Sequence, residues 1–307
     1  MLKIVVLGAA AGGGLPQWNC RCAVCAEAWS DPALRETQAS LAASVDGRSW
    51  FLINASPDLR AQILATPQLH PREGSLRHSP VAGVILTNGE IDAVTGLLSM
   101  REGQPFALHA HPRVLETLAA NSLFNVLDPA KVPRLPISPG EPFEPLLPDG
   151  RPSGLLVEAF DAPGKPAWYL ETAAEAPKPA AGDTLGLTLT DRASGARAHV
   201  LLACAALTPD LAERLRGADL LFFDGTLWRD DEMILGGLSQ KTGRRMGHLS
   251  ISGPEGAMAL LGDLEIRRKV FLHVNNSNPV WLPASPERAA VEAAGWSIPR
   301  QGEEFAA

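Results

Sequence analysis

Val81-Ala82-Gly83-Val84-Ile85-Leu86-Thr87-Asn88-Gly89-Glu90-Ile91-Asp92-Ala93-Val94-Thr95-Gly96 begins as an apolar, β-rich run and empties into a polar loop. A second apolar run, Ala93 to Met100, leaves that loop at helical spacing. A strand whose polar C-terminal loop opens a helix is where α/β proteins place their chemistry. If the loop stays extended, Asn88, Glu90 and Asp92 aim alternate side chains at one point. All three carry oxygen, so a hard metal or a polar substrate suits them. The same residues also read as an ordinary helix start, with Asp92 capping and Asn88 and Glu90 in solvent. The rest of the chain has to decide.

Upstream, Lys3–Leu7 reads as a buried strand that ends in the glycine-rich Gly8–Gly14. That loop runs into Leu15-Pro16, not a helix, and lacks the ribose-binding acid of a dinucleotide site. Ser40–Val45 and Ser49–Ile53 read as a hairpin turning at Asp46-Gly47. Asn54–Asp58 is expected to cap a helix through Leu64. Downstream come a strand at 105–110, a helix at 113–120 and an irregular, proline-rich stretch at 127–155. Strands follow at 154–160, 184–189, 199–203, 219–223 and 270–274, with helices at 209–216, 256–261 and 287–294. Glu171–Gly182 reads as a surface excursion. Strands come first and then mix with helices, without strict alternation. This order fits a sandwich of two mixed sheets covered by helices better than a doubly wound sheet. No repeat or linker divides the 307 residues, which read as one domain.

Composition excludes several classes. A net charge of −7 and sparse aromatics (Phe 9, Trp 7, Tyr 1) argue against a nucleic-acid partner. No run of about 18 apolar residues is present, so no membrane insertion by a helix is expected. The first residues read as a strand and not as a signal peptide, which makes the cytoplasm the expected compartment.

Two constellations carry chemistry. Cys20, Cys22 and Cys25 have C-x-C and C-x-x-C spacing, which lets three thiolates converge on one structural Zn²⁺. The second group is Asn88, Glu90, Asp92, Asp224, His248 and His273. Asp224 and His273, like Asn88, close apolar strands, and His248 sits in a glycine-broken loop, Thr242–Ser250. His70, His78 and His199 show no such placement. His109 and His111 alternate as strand residues do, which leaves ligation open for them.

Several blocks together resemble the PqqB family, pyrroloquinoline quinone (PQQ) biosynthesis protein B. They are Val6–Cys22, Asn54–Arg60, Asp224-Gly225-Thr226, Met246–Leu249, Val274–Pro279 and Ser285–Ala289. The resemblance spans nearly the whole chain. It implies an α/β (α+β) metallo-β-lactamase fold, a four-layer αββα sandwich of two mixed sheets with its site at one edge. It implies a role in PQQ biosynthesis, by Fe(II)- and O₂-dependent hydroxylation of a tyrosine-derived precursor. The alternative is a non-catalytic carrier of PQQ or its precursor to the periplasm. The expected partners are that precursor or PQQ, and a homodimer is allowed.

By the same resemblance, Asp92 and His273 hold the active-site metal. Two histidines and one carboxylate form the facial set of non-haem iron enzymes. Position 93, where the family pattern expects a His ligand, is Ala93. His248, Asp224 or Glu90 is then left to supply the missing ligand, or the metal binds only with a chelating substrate, or none binds. Asp224 and His248 are also candidates for acid/base work. Arg101, Lys241 and Arg245, with Asn88, Glu90 and Asn275, are candidates for holding the substrate. Asn276 falls where a related hydrolase places a zinc-binding His, which makes it the fourth candidate at the cysteine centre.

Overall fold

The computed structural model describes residues 1–170 and 180–307. Most of the Glu171–Gly182 excursion, residues 171–179, lies outside the described residues. The strands are β1 (Lys3–Gly8), β2 (Ser40–Ser44), β3 (Trp50–Ile53), β4 (Val81–Ile85), β5 (Ala107–Ala110) and β6 (Arg134–Pro136). They continue as β7 (Leu155–Asp161), β8 (Leu185–Asp191), β9 (Arg197–Leu201), β10 (Leu220–Asp224), β11 (Lys269–Leu272), β12 (Trp296–Ser297) and β13 (Glu304–Ala306). The helices are α1 (Ala23–Ser30), α2 (Leu59–Ala65), α3 (Ile91–Val94), α4 (Pro112–Ala120), α5 (Pro209–Leu215), α6 (Glu232–Leu235), α7 (Gly243–Met246), α8 (Ala257–Leu260) and α9 (Pro286–Ala293).

Two sheets form, ordered β13-β1-β2-β3-β4-β5-β6 and β12-β11-β10-β9-β8-β7. They repeat one plan. β1–β3 and β7–β9 are antiparallel meanders, whereas β3–β6 and β9–β12 pair in parallel. Parallel pairing needs long crossovers, and these carry most of the helices.

Alternation along each strand sorts the side chains into layers. Ile4, Val6, Leu41, Phe51 and Ile53 share one buried cluster with Leu155, Val157, Leu187 and Val200 of the other sheet. Their neighbours Val5, Leu7, Ala42, Leu52 and Val84 face outward and pack with Leu59, Leu97, Val114 and Leu118 of the covering segments. On the far side Leu211, Leu215 and Val291 cover the second sheet. The result is the expected αββα metallo-β-lactamase fold. Parallel strands from both sheets send their C-terminal loops to the same edge. There Leu185 N–H bonds the Thr87 carbonyl and Asn88 bridges to Thr184, which ties the sheets together.

Several local expectations change. The helix after β4 makes only one α turn and continues as a 3₁₀ segment, Thr95–Met100. The cause is Gly96, whose N–H bonds the Ala55 carbonyl and whose missing Cβ would collide with the Ala55 and Ser56 carbonyls. Asp58 makes no cap bond; its carboxylate instead accepts from Gln38 N (3.0 Å) and Nε2 (2.9 Å). The stretch at 127–155 contributes the edge strand β6. The last long strand stops at Leu272, so His273 lies beyond it. His111 is not a strand residue but the N-cap of α4.

Candidate metal centres and the cavity between them

Asp224 ends β10 with no exposed surface, and its carboxylate is saturated with donors. Oδ2 accepts from Cys204 N–H (2.9 Å), and Oδ1 accepts from Thr226 N–H (3.0 Å) and the Thr226 hydroxyl (2.6 Å). Nδ1 of His248 lies 2.7 Å from Oδ2. An ionised carboxylate only accepts, so His248 carries its proton on Nδ1. Thr226 has one hydroxyl proton and directs it to Asp224. Its oxygen, 2.9 Å from His273 Nδ1, therefore accepts a hydrogen bond from that ring's N–H. The two imidazoles stack with centroids 5.2 Å apart.

This leaves Nε2 of both rings as the lone-pair nitrogen. His273 Nε2 sits 2.9 Å from Asp92 Oδ2, two acceptors face to face. Something positive has to lie between them. In the metal-free chain it is a proton. Burial opposes charge on His273, but Asp92 overrides it and raises the imidazole above its ordinary value. Burial likewise opposes charge on Asp92, yet His273 and then His248 hold its carboxyl below the usual range. A metal ion is the other solution. Ligand bonds of about 2.1 Å set adjacent ligands of an octahedral ion about 3 Å apart. Asp224, His248 and His273 also offer ligand atoms that all lie within 4.8 Å of one another. The donor set, two imidazoles and carboxylate oxygen, fits a divalent transition metal.

His273 is held there at a backbone φ of +58°. For a residue with a Cβ, this left-handed conformation costs roughly 1–2 kcal/mol. Neighbouring bonds enforce it: Val274 N–H to the Ala9 carbonyl, Ala11 N–H to the Val274 carbonyl and Asn275 N–H to the Thr226 carbonyl. The glycine-rich loop after β1 thus closes over the site, and a Cβ at Gly12 would stand 3.4 Å from Asp92 Oδ2.

These groups line a cavity of about 550 Å³ with Gln38, Asn88, Glu90, Lys165, Trp168, Met233, Lys241 and Asn275. Among the sequence-derived candidates, Asn88, Glu90, Asp92, Lys241, His248, His273 and Asn275 line it. Two do not. Arg101 is exposed at the end of the 3₁₀ segment, bonded to its own Leu98 carbonyl (3.1 Å), and Arg245 is exposed on α7. Charge alone selected them, and charge does not report position.

Glu90 is not placed as a metal ligand. Its Oε1 accepts from Lys165 Nζ (3.0 Å) and from Trp168 N–H (3.0 Å). Burial pushes its carboxyl up, and Lys165 opposes that. Ala93 is 2% exposed, packs within the outer apolar cluster and does not line the cavity. Ala93 offers no donor at the position where the resemblance expects a His ligand. Sequence reasoning missed Lys165 and Thr226. Both stand just after a strand (Asp161–Lys165, Asp224–Thr226), the same signal that singled out Asn88.

Cys20, Cys22 and Cys25 are free thiols whose sulfurs lie within 4.8 Å of one another at the start of α1. Asn276, 4% exposed, places Nδ2 3.2 Å from Cys25 Sγ and 3.9 Å from Cys22 Sγ. Burial pushes the Cys22 thiol up to about 12 in the absence of a cation. A soft divalent ion removes that penalty, which makes the cluster chemically suited to zinc. His109 is no ligand. It is buried against Phe143 (ring centroids 5.0 Å), with no partner for Nε2.

A beta-lactamase superfamily domain profile matches residues 49–274. Coenzyme PQQ synthesis protein B of Rhodopseudomonas palustris (strain BisB5) is 64% identical over 305 residues, 99% of each chain. The chain belongs to the coenzyme PQQ synthesis protein B family. A crystal structure of Zn²⁺-bound PqqB from Methylobacterium extorquens matches this PqqB-family chain with TM-score 0.93. The two are 47% identical, with 99% of this chain and 100% of that one covered. A diphosphatase of the PhnP family shares the fold, with TM-score 0.67 at 20% identity over 100% and 98% of the two chains. Among the described residues of this family member, no helix is long and apolar enough to cross a membrane.

Proposed function

We propose that this chain acts in PQQ biosynthesis as an iron-dependent oxygenase that hydroxylates a tyrosine-derived precursor in the cavity. The observation that carries the reading is the 2.9 Å approach of His273 Nε2 to Asp92 Oδ2, beside a second imidazole whose Nδ1 is already committed. Asp92 and His273 would hold the ion, with His248 completing a set of two histidines and one carboxylate on a modest shift of its ring toward Asp92. Asp224 and Thr226 would fix both rings from behind, the arrangement that orients metal-bound imidazoles. A bound ferrous ion supplies O₂-activating redox chemistry. Lys241 and Asn275 line the space left for a substrate of small-molecule size. Zinc is proposed for the cysteine centre, where it anchors the N-terminal loop.

The test is anaerobic reconstitution with Fe(II) after zinc has filled the thiol centre, followed by addition of O₂ and a tyrosine-derived PQQ precursor. About one Fe(II) per cavity and O₂-dependent hydroxylated product support the enzyme. Tight PQQ binding with zinc alone and no product would replace it with carriage.

A further inference from the structure

The cavity wall brings two carboxylates close together, Glu90 and Asp92, separated by one residue of α3's first turn. Each needs a positive partner. Asp92 has the His273 side, where a proton or a metal ion serves. Glu90 has Lys165, whose ammonium donates to Oε1 at 3.0 Å and to the Pro166 carbonyl at 3.2 Å. The pair is largely withdrawn from water, with side-chain exposures of 14% for Lys165 and 23% for Glu90. The lysine stem runs close past Gly247, where a Cβ would stand 3.3 Å from Lys165 Cγ, and the Thr184 hydroxyl donates to the Lys165 backbone carbonyl at 3.4 Å.

We propose that the Lys165 ammonium is a built-in cation that occupies the Glu90 side of the cavity and restricts the protein to a single cavity metal ion. A lysine here repels a second divalent cation and neutralises the carboxylate that would attract it, so metal number is set by a side chain. The inference builds on the proposed metal reading of Asp92, His248 and His273, yet it makes a claim of its own. Removing a buried positive charge should strengthen divalent-cation binding, which a merely structural lysine would not do. At cavity distances one charge is worth at least about tenfold in affinity.

The experiment loads the thiol centre with zinc and titrates Mn²⁺, a hard ion that competes poorly for thiolates, counting bound ions by electron paramagnetic resonance. Wild type is compared with Lys165→Met, Lys165→Gln and Lys165→Arg, with Glu90→Gln added to the Met variant. The expected result is tighter Mn²⁺ binding by at least about tenfold, or a second bound ion, in both neutral variants. The Arg variant should stay within about twofold of wild type, and Glu90→Gln should abolish the gain. Two neutral variants guard against one that folds poorly. Unchanged or weaker Mn²⁺ binding in both would overturn the proposal. If wild type binds no Mn²⁺ while the neutral variants do, the metal reading of the wild-type cavity fails and the role of Lys165 stands.

Discussion

His273 follows β11 of one sheet and Asp92 lies on α3 after β4 of the other, and their side chains meet at 2.9 Å. The contact is a charge pair in the metal-free chain, and its pH behaviour follows from the two shifts. His273 is raised, so its contribution is complete below its unfolded value, near 6.5, and is lost as pH rises through the folded value. Asp92 is lowered, so its contribution is present above its unfolded value, near 3.8, and is lost as pH falls through the folded one. Metal-free protein should therefore lose thermal stability on the alkaline side of pH 6.5, and Asp92→Asn should flatten that slope. Melting curves across pH test this. A slope unchanged in the variant would remove the pair as its cause.

The same pair predicts a proton released on metal uptake. An ion between Nε2 and Oδ2 displaces the proton held there, so affinity should rise with pH until His273 is neutral. Asp92→Asn should weaken cavity metal binding by roughly 10–100-fold. Isothermal titration in two buffers of different ionisation enthalpy counts the released proton.

Ala93→His should not create a metal site. The new ring would enter the apolar layer that contains Leu59, Val94 and Leu97, at an overpacking cost of about 1–3 kcal/mol. A lowered melting temperature with unchanged metal affinity is expected. A clear gain in affinity would show that the ring reaches the cavity.

His109→Phe should stabilise the protein. It removes a buried, unpartnered Nε2, worth roughly 1–3 kcal/mol, and keeps the stack on Phe143. Burial holds His109 down to about 4, so the wild-type side chain costs stability progressively as pH falls from 6.5 toward 4. The variant should lose that share of acid sensitivity, which denaturant titrations at pH 7 and pH 5 would register.

Cys22→Ser should empty the thiol centre, since two thiolates and an amide hold zinc poorly. Metal analysis of the purified variant should find about one zinc fewer per chain, with a lower melting temperature.

Much of this was legible in the chain because strand ends are legible. The runs closing at Asn88, Asp224 and His273 are continuous and apolar, and each delivers its polar residue to the shared edge. The thiol cluster is local, so spacing alone assembled it. What sequence could not supply was the direction of side chains one residue apart. Asp92 and Ala93 are neighbours, yet one lines the cavity and the other packs in the outer apolar layer. Lys165 was equally hidden, because its partner Glu90 is 75 positions away in the chain. Arg101 and Arg245 failed for the opposite reason: surface arginines advertise charge without address.

The segment from His273 to Asn276 reaches both centres, the cavity through His273 and the thiols through Asn276, within one four-residue tether. Its other contacts, to Ala9, Ala11 and Thr226, leave it little slack. The two centres are thus mechanically in series. If zinc fills the thiols and iron the cavity as proposed, a strong chelator that strips the zinc would also slacken the ring that would hold the iron. Demetallated protein then reports on a loosened cavity, and only selective exchange of one ion at a time separates the chemistry of the two.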